Sequence, residues 1–262
     1  MTQNVSTPGA GHLSSQYGRE YFDAYSDGDR RGYTRENWLE DFRRLADQIV
    51  VRLNPRRVLD VGCAKGFLVE CLRDRGVEAF GFDISEYAVS EVRSDVRPYC
   101  WVGSAGNSIN EDYDLITCHE VCEHLPECEA TEAISRMTSH SDTILFSSTP
   151  GHFEDPMHVN VRPIIDWLRT FAQFSFAPDE KFDASFVTPW AMLLRRAPEP
   201  PPDQTLRHFA YLKTRAFATW ELKNSPEVRG ELDAILNSKA WKLLSLYRKV
   251  RFRIKHLRES TR

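Results

Sequence analysis

One stretch of the chain decides its fold: Val58-Leu59-Asp60-Val61-Gly62-Cys63-Ala64-Lys65-Gly66. A short strand-forming run leads directly into a turn that contains glycines, and a helix-forming stretch over residues 67–75 follows at once. Residues 79–83 then have the composition of a second strand, which ends in an aspartate. A strand, a glycine loop, a helix and a second strand closed by an acid form the arrangement that holds a nucleoside-bearing cofactor at the edge of a parallel sheet.

Strand-like and helix-like stretches alternate along the chain after this unit. The pattern predicts parallel strands at 57–61, 78–83, 99–102, 113–118 and 143–148, and an edge hairpin formed by 184–188 and 190–194. Helices are predicted between them, with Ser85 as the capping residue of the helix after the second strand. We therefore expect an α/β fold: a doubly wound, mostly parallel, seven-stranded Rossmann-like sheet with an N-terminal helical lid and a C-terminal helical extension.

Composition divides the 262 residues into four predicted parts. Residues 1–34 form a flexible N-terminal segment, residues 35–197 the sheet domain, residues 198–202 a stiff Pro-Glu-Pro-Pro-Pro linker, and residues 203–262 a helical, basic extension. The sequence contains neither an apolar run long enough to span a bilayer nor the basic start and apolar core of a signal peptide. With six cysteines, which we interpret as reduced thiols, this predicts a cytoplasmic location.

The spacing of the glycines narrows the class of cofactor. Gly62 and Gly66 follow a G-x-x-x-G pattern, and Ala64 stands where the pyrophosphate fingerprint G-x-G-x-x-G needs its second glycine. The methyl group of an alanine there narrows the approach of a phosphate to the backbone, which favours a cofactor without one. Asp83 lies 21 residues after Gly62, which is about the sequence separation found between a cofactor-binding glycine loop and the acid that binds the ribose hydroxyls.

Three motifs in order carry a resemblance to a known family. Residues 35–195 resemble the class I S-adenosylmethionine-dependent methyltransferases. The motifs that carry the resemblance are the stretch 58–66, then Gly81-Phe82-Asp83-Ile84-Ser85, then Cys118-His119-Glu120-Val121-Cys122-Glu123-His124-Leu125-Pro126. The resemblance implies S-adenosyl-L-methionine (SAM) as the cofactor and a methyltransferase activity. The alternative from the residues alone is a glycine-rich turn in another doubly wound domain.

The resemblance also implies roles for individual residues. Asp83 would hold the ribose, and Ile84 would pack on the adenine. Ser104 and Ala105 follow the third strand, where many members place an aspartate for the adenine amino group, so the sequence departs from the family at this contact. The residues expected around the methionine part and the adenosine edge of the cofactor are Asp60, Gly62, Cys63, Ala64 and Gly66, with His119 near the cofactor.

Acidic and imidazole side chains follow the fourth and fifth strands, where an acceptor would bind. Glu120, Glu123 and His124 stand at i, i+3 and i+4, so a helix would place them on one face, and His158 comes from the loop after the fifth strand. These four residues are the predicted catalytic set, with His124 or His158 as a general base. They are also a candidate ligand set for a divalent metal, Mg or Mn, and the third alternative is a purely structural role.

Two finer resemblances bear on the acceptor. The Glu-x-x-Glu-His run resembles that of metal-assisted O-methyltransferases of ubiquinone synthesis and of small-RNA 2′-O-methyltransferases. Residues 155–163 and 238–248 resemble segments of methyltransferases encoded alongside glycan-assembly enzymes. We therefore expect an O-methyltransferase that acts on a sugar, a glycolipid precursor or a related small-molecule hydroxyl. The alternatives are a metal-assisted RNA 2′-O-methyltransferase and a non-catalytic, cofactor-binding assembly protein.

The two flanks leave several interpretations open. The early aromatic side chains form a lid over the site, or they pack on the outer face of the core; they are Tyr17, Tyr21, Phe22, Tyr25 and Tyr33. The basic C-terminal helix packs on the domain, contacts a membrane surface or another protein, or contacts nucleic acid. The net charge of −4 argues against a nucleic-acid partner.

Overall fold

A computed structural model describes residues 16–27, 30–153 and 155–225, together with Gly230 and Ala234. Its centre is a seven-stranded sheet with the strand order β5-β4-β3-β6-β7-β9-β8. The strands of this sheet are β3 Arg57–Val61, β4 Glu78–Asp83, β5 Cys100–Val102, β6 Leu115–His119, β7 Thr143–Ser147, β8 Phe176–Pro178 and β9 Met192–Arg196. A separate two-stranded sheet, formed by β1 Ser26–Asp27 and β2 Arg30–Arg31, precedes it.

Helices connect the strands in the predicted alternation. They are α1 Arg19–Ala24, α2 Arg35–Leu53, α3 Phe67–Arg73, α4 Glu86–Ser90, α5 Glu127–His140, α6 Ile164–Gln173 and α7 Asp203–Asn224, with 3₁₀ turns at Arg97–Tyr99 and Cys122–His124. Strands β3 to β7 pair in parallel, whereas β9 is antiparallel to both β7 and β8. The predicted fold class, a mostly parallel seven-stranded Rossmann-like sheet with flanking helices, is confirmed.

The edge hairpin differs from the prediction. Residues 184–188 form turns instead of a strand, since the amide of Val187 donates to the carbonyl of Ala184 at 3.0 Å and that of Ala191 to the carbonyl of Thr188 at 3.0 Å. The outer strand is the earlier β8, which the sequence did not suggest. Ser175, at a φ of 60°, turns the chain from α6 straight back into β8, so the sheet edge is already occupied when the chain reaches residue 184.

The core on one face of the sheet fixes the helix that precedes it. Val58, Leu115 and Leu145, from β3, β6 and β7, are fully or almost fully buried in one cluster with Ala46 and Ile49 of α2. Burial of such side chains is the main favourable term in folding. Helix α2 is therefore packed against the central strands of the sheet, whose carboxyl ends form the edge that carries the site.

The predicted extension is only partly described. Helix α7 covers the first part of the helical extension predicted for residues 203–262, and the basic stretch after residue 225 lies outside the described residues, apart from Gly230 and Ala234. The chain divides into two compact units after Thr214. The predicted domain boundaries at 34, 197 and 202 stay predictions. In the described parts of the chain, no helix is long and apolar enough to cross a membrane.

Candidate active site

The loop of residues 62–66, here called the cofactor loop, is shaped by backbone angles that favour glycine. Gly62 has a φ of 75°, Ala64 of 47° and Gly66 of 68°. A Cβ on Gly62 would lie 2.4 Å from Cγ2 of Val121, so the position has no room for a side chain. The amides of Gly62 and Cys63 both donate to the carbonyl of Phe82 at 2.9 Å. The loop is therefore anchored to the end of β4 and packs directly against the segment after β6.

Asp83 lies at the end of β4 with its carboxylate fixed by main-chain donors. Its Oδ2 accepts from the amide of Ala64 and its Oδ1 from the amide of Ser85, each at 2.8 Å. Burial raises the pKa of Asp83, and the hydrogen bonds from the backbone oppose that rise. Each carboxylate oxygen can accept a second hydrogen bond. This half-buried acid therefore fits the predicted contact with a ribose diol, and Ile84 follows it, also half-buried.

Two residues of the predicted cofactor set turn their side chains into the protein. Asp60 accepts a hydrogen bond of 2.7 Å from Oγ1 of Thr117, and burial raises its pKa to about 7. The buried thiol of Cys63 forms a hydrogen bond with the thiol of Cys100. The side chain also packs against β4, since a Cβ added to Gly81 would lie 2.7 Å from the Cβ of Cys63. Because this side chain points into the packing, Cys63 offers a ligand its main chain only.

The remaining predicted residues lie at the carboxyl ends of neighbouring strands. Ser104 and the buried Ala105 begin the turn after β5, where the carbonyl of Ser104 accepts from the amide of Ser108 at 3.0 Å. His119 ends β6, and neither of its ring nitrogens has a hydrogen-bond partner among the described residues. Burial lowers the pKa of His119 to about 4, so the ring is neutral. A buried polar group without a partner costs free energy, which a bound ligand or water removes.

These observations fit a nucleoside cofactor without a pyrophosphate. Asp83 keeps free acceptor positions, the cofactor loop presents main chain, and His119 offers unpartnered nitrogens, all at the edge where parallel strands end. Their individual contacts with a cofactor stay predictions.

A second group of side chains lies after β6, in the 3₁₀ turn and the loop that follows β7. Glu123 is fully buried, its Oε2 accepts from Oγ of Ser148 at 2.9 Å, and its Oε1 accepts from the amide of Thr149 at 3.4 Å. Burial, and secondly the neighbouring carboxylate of Glu120, raise the pKa of Glu123 well above its ordinary value. Asn160 joins the two segments, since its amide donates to the carbonyl of Glu123 at 2.9 Å.

Both imidazoles of this group are held in one tautomer. Nδ1 of His124 lies 3.1 Å from the carbonyl oxygen of Met157, and Nδ1 of His158 lies 2.9 Å from that of His152. A carbonyl only accepts, so each Nδ1 carries a proton, and in the neutral form of each ring the lone pair is on Nε2. Burial lowers the pKa of His124 to about 4, which keeps that ring neutral. The rings of His124 and His158 meet edge-on, with centroids 4.7 Å apart.

Three of the four predicted metal ligands come together. One ligand atom each of Glu123, His124 and His158, here called the Glu–His cluster, lie within 4.8 Å of one another. A carboxylate and two imidazoles suit a divalent ion, and histidine ligands normally donate their other nitrogen to a carbonyl, as both rings do here. The donor set therefore fits a divalent transition metal, and of the two predicted metals it disfavours Mg, which prefers oxygen ligands.

The expected shared helical face, however, does not form. Only Cys122–His124 is helical, and Glu120 precedes it at a φ of 53°, so Glu120, Glu123 and His124 do not share a helical face. Oε1 of Glu120 accepts a hydrogen bond of 3.0 Å from Nε1 of Trp190. Among the described residues, Glu120 is therefore a neighbour of the Glu–His cluster and not a member of it.

The early aromatic side chains divide between the two predicted roles. Phe22 is buried and contacts the rings of Tyr33 and Tyr87, so it packs on the domain. Tyr17 instead meets the ring of His124, with centroids 5.8 Å apart. Oγ of Ser85 donates to the carbonyl of Tyr17 at 2.5 Å, a contact over 68 positions that the sequence could not show. Residues 1–15 of the predicted lid lie outside the described residues.

Comparison with protein families agrees with this geometry. A family model described as a methyltransferase domain matches residues 30–220, more than half of the chain. The chain belongs to this methyltransferase family. The prediction of a class I SAM-dependent methyltransferase is thereby confirmed, and SAM is the cofactor that the family uses.

Curated relatives match part of the sequence of this methyltransferase. A ubiquinone biosynthesis O-methyltransferase of Azoarcus sp. (strain BH72) is 31% identical over 129 residues, which are 46% of this chain and 52% of the relative. One from Alkalilimnicola ehrlichii, with the same description, is 33% identical over 106 residues, which are 37% of this chain and 42% of the relative. The chain thus spans about half the length of the curated relatives it matches.

Solved structures show the same fold at low identity. The magnesium protoporphyrin IX methyltransferase of Synechocystis PCC 6803 with bound SAM superposes with a TM-score of 0.51 at 18% identity, over 74% of this chain and 100% of that one. An O-methyltransferase from a trans-AT PKS multienzyme of Brevibacillus brevis, in complex with S-adenosyl-L-homocysteine, superposes with a TM-score of 0.51 at 15% identity. The match covers 73% of this chain and 86% of that one. At these identities the likeness concerns the fold.

Proposed function

We propose that this methyltransferase transfers the methyl group of SAM to a hydroxyl oxygen. One observation carries the proposal: the cofactor loop packs against the segment that bears the Glu–His cluster. Val121 fills the space beside Gly62, and Glu123 and His124 follow within three residues. A methyl donor on the loop and an acceptor on the cluster would therefore be neighbours, which is the arrangement that a direct transfer needs.

Bound SAM supplies an electrophilic methyl group, and the residues of the chain have to prepare the oxygen that receives it. As the oxygen gains the methyl group, it loses its proton to a base. Burial lowers the pKa of His124 to about 4, so this ring accepts a proton poorly at neutral pH. We therefore assign the general base to Nε2 of His158, since Nδ1 is bound to the carbonyl of His152, and the carboxylate of Asp155, 3.7 Å from Nε2, would stabilise the ring once it is protonated.

A divalent metal on the Glu–His cluster is the alternative to a simple base. Glu123, His124 and His158 would hold it, and its charge would lower the pKa of a bound hydroxyl and orient a neighbouring one. The metal-free and metal-assisted mechanisms make opposite predictions for chelation. If His158 acts as a simple base, EDTA leaves turnover unchanged. If a metal binds the cluster, EDTA abolishes turnover, and Mn²⁺ binding measured by calorimetry disappears in His158→Ala.

The acceptor we propose is a hydroxyl of a sugar or a glycolipid precursor. Its support is the resemblance of residues 155–163, which carry His158, to methyltransferases of glycan assembly; the second resembling segment, 238–248, lies outside the described residues. The curated relatives favour a second candidate, a hydroxyl of a ubiquinone precursor. A small-RNA acceptor and a non-catalytic assembly role are the remaining alternatives. A cytoplasmic location and a peripheral membrane contact through residues 203–262 stay predictions.

Two measurements test the proposal in sequence. Calorimetry with SAM and S-adenosylhomocysteine comes first, and the absence of binding at high micromolar cofactor would exclude the enzyme. Transfer of a labelled methyl group from SAM into a fractionated cell extract comes second. Label in the polar glycan fraction or in the glycolipid fraction supports the sugar acceptor, label in the quinone fraction supports the second candidate, and label in RNA contradicts both.

A further inference from the structure

Tyr17 lies between the two halves of the proposed site. On one side, Oγ of Ser85 donates to its carbonyl at 2.5 Å, and Ser85 stands two residues after Asp83. On the other side, its ring meets that of His124 edge-on, at 5.8 Å between centroids and 87° between planes. The residue therefore spans from the end of β4, where the ribose is expected, to the Glu–His cluster.

Carboxylates from three different segments lie near the side chain of Tyr17. Partial burial and the negative charges of Asp83, Asp155 and Glu123 raise the pKa of Tyr17. A tyrosine hydroxyl donates hydrogen bonds. The side chain is half-buried, and no described residue accepts a hydrogen bond from its hydroxyl. This donor is therefore available to an acceptor atom of a ligand that binds beside the Glu–His cluster.

The segment that carries Tyr17 is anchored to the cofactor loop. Phe22, one turn further along α1, is buried against Tyr33 and Tyr87. The ammonium of Lys65, a residue of the cofactor loop, lies 5.5 Å from the ring centre of Phe22 and 5.3 Å from that of Tyr87. A cation between two aromatic faces is attracted to both. Tyr17 is thus anchored by the bond from Ser85 to its carbonyl and, five residues later, by the packing of Phe22.

We propose that Tyr17 is an acceptor-binding residue, whose hydroxyl donates a hydrogen bond to an oxygen of the methyl acceptor. The acceptor class that this arrangement fits is a small molecule with two neighbouring oxygens. One oxygen lies on the Glu–His cluster and receives the methyl group, and the other accepts from Tyr17. The inference rests on the proposed function and adds the contact that holds the acceptor beneath α1.

The test is Tyr17→Phe, which removes the hydroxyl and keeps the ring against His124. The matched control is Tyr87→Phe, because its ring contacts Phe22 of the same segment and the substitution likewise removes one phenol hydroxyl. Both variants and the wild type are assayed with labelled SAM, on the extract fraction that the wild type labels. Calorimetry with S-adenosylhomocysteine and thermal unfolding are measured in parallel.

We expect Tyr17→Phe to lower kcat/KM for the fraction about tenfold or more, mainly through KM, the loss that one missing hydrogen bond to substrate produces. Its affinity for S-adenosylhomocysteine and its Tm should match those of Tyr87→Phe. Equal kcat/KM in Tyr17→Phe and the wild type would overturn the inference and leave the proposed function standing. If the wild type labels no fraction, the proposed function fails, and the inference fails with it. A lower affinity for S-adenosylhomocysteine in Tyr17→Phe would assign Tyr17 to the cofactor and overturn its assignment to the acceptor.

Discussion

The main-chain amide of Ala64 donates a hydrogen bond of 2.8 Å to Oδ2 of Asp83. The contact joins the cofactor loop to the end of β4, so the loop itself orients the carboxylate expected at the ribose. Since Ser85 donates to the other oxygen, the carboxylate has one orientation before any ligand arrives. A preorganised acceptor loses little entropy when a diol binds to it.

Replacing this carboxylate should weaken cofactor binding. In Asp83→Ala, the ribose loses a charged acceptor, and we expect S-adenosylhomocysteine to bind with about 1.5–3 kcal/mol less free energy. Calorimetric titration measures the change. Asp112→Ala is the control, because Asp112 is an exposed acid whose carboxylate lies 3.1 Å from Nδ1 of His140. Equal affinities in Asp83→Ala and Asp112→Ala would show that the ribose lies elsewhere.

The glycine at position 62 should be needed for stability as well as for binding. An alanine in Gly62→Ala must adopt a φ of 75° and bring its Cβ to 2.4 Å from Val121. The backbone angle costs about 1 kcal/mol and the overlap roughly 1–3 kcal/mol more. Thermal unfolding should therefore show a Tm lowered by several degrees.

A variant at Gly76 distinguishes the cost of the backbone angle from the cost of the steric overlap. Its φ is 80°, and a Cβ there would meet nothing within 4 Å, so Gly76→Ala carries the backbone cost alone. We expect Gly76→Ala to lose about 1 kcal/mol. Equal losses in the two variants would mean that Val121 moves aside without cost.

The sequence was most accurate for the elements whose position depends on local residue pattern. Strands β3 and β4 coincide with the predicted 57–61 and 78–83, because a buried parallel strand leaves a continuous apolar signal that ends at the turn. The strand assigned to 184–188 was wrong, because a strand-like composition does not exclude the turns that the occupied sheet edge imposes. The three-residue β8 is too short to leave any pattern.

Within the site, residue type was predictable and side-chain direction was not. The spacing of Glu120, Glu123 and His124 suggested one helical face, but Glu120 has a φ of 53° and lies outside the helical turn. A non-glycine residue gives no signal for that angle. The bond from Ser85 to Tyr17 joins residues 68 positions apart. Contacts of this range follow from tertiary packing, so a single sequence holds no local trace of them.

The buried acid Asp60 should make stability depend on pH. Burial raises its pKa from 3.8 to about 7, so between these values the folded state holds a proton that the unfolded state has released. The free energy of unfolding therefore falls as pH rises through this interval, by up to roughly 1.4 kcal/mol per pH unit from this group. Asp60→Asn removes the titration and keeps an oxygen for Thr117.

Denaturant unfolding at pH 5, 6, 7 and 8 without cofactor measures this effect. The difference between Asp60→Asn and the wild type cancels the groups that the two proteins share. We expect Asp60→Asn to gain stability relative to the wild type steadily from pH 5 to 7 and to level off above it. Parallel curves would mean that Asp60 is charged in the folded protein throughout.

An ion pair between the partly exposed Arg35 and the buried Glu70 holds the start of α2 to α3 and should be important for stability. Glu70 is 2% exposed, and its two oxygens accept from Arg35 at 2.5 and 2.7 Å, while Arg93 lies 3.1 Å away. Glu70→Ala leaves both guanidinium groups without this partner, at a cost of about 2–3 kcal/mol for the lost charged hydrogen bonds. Glu40→Ala, at an exposed acid of α2 that pairs with Arg43, should change stability by less than about 0.5 kcal/mol. Thermal unfolding of both variants checks the contrast. Similar Tm values would show that the packing of α2, and not this carboxylate, fixes the helix that leads out of the aromatic segment.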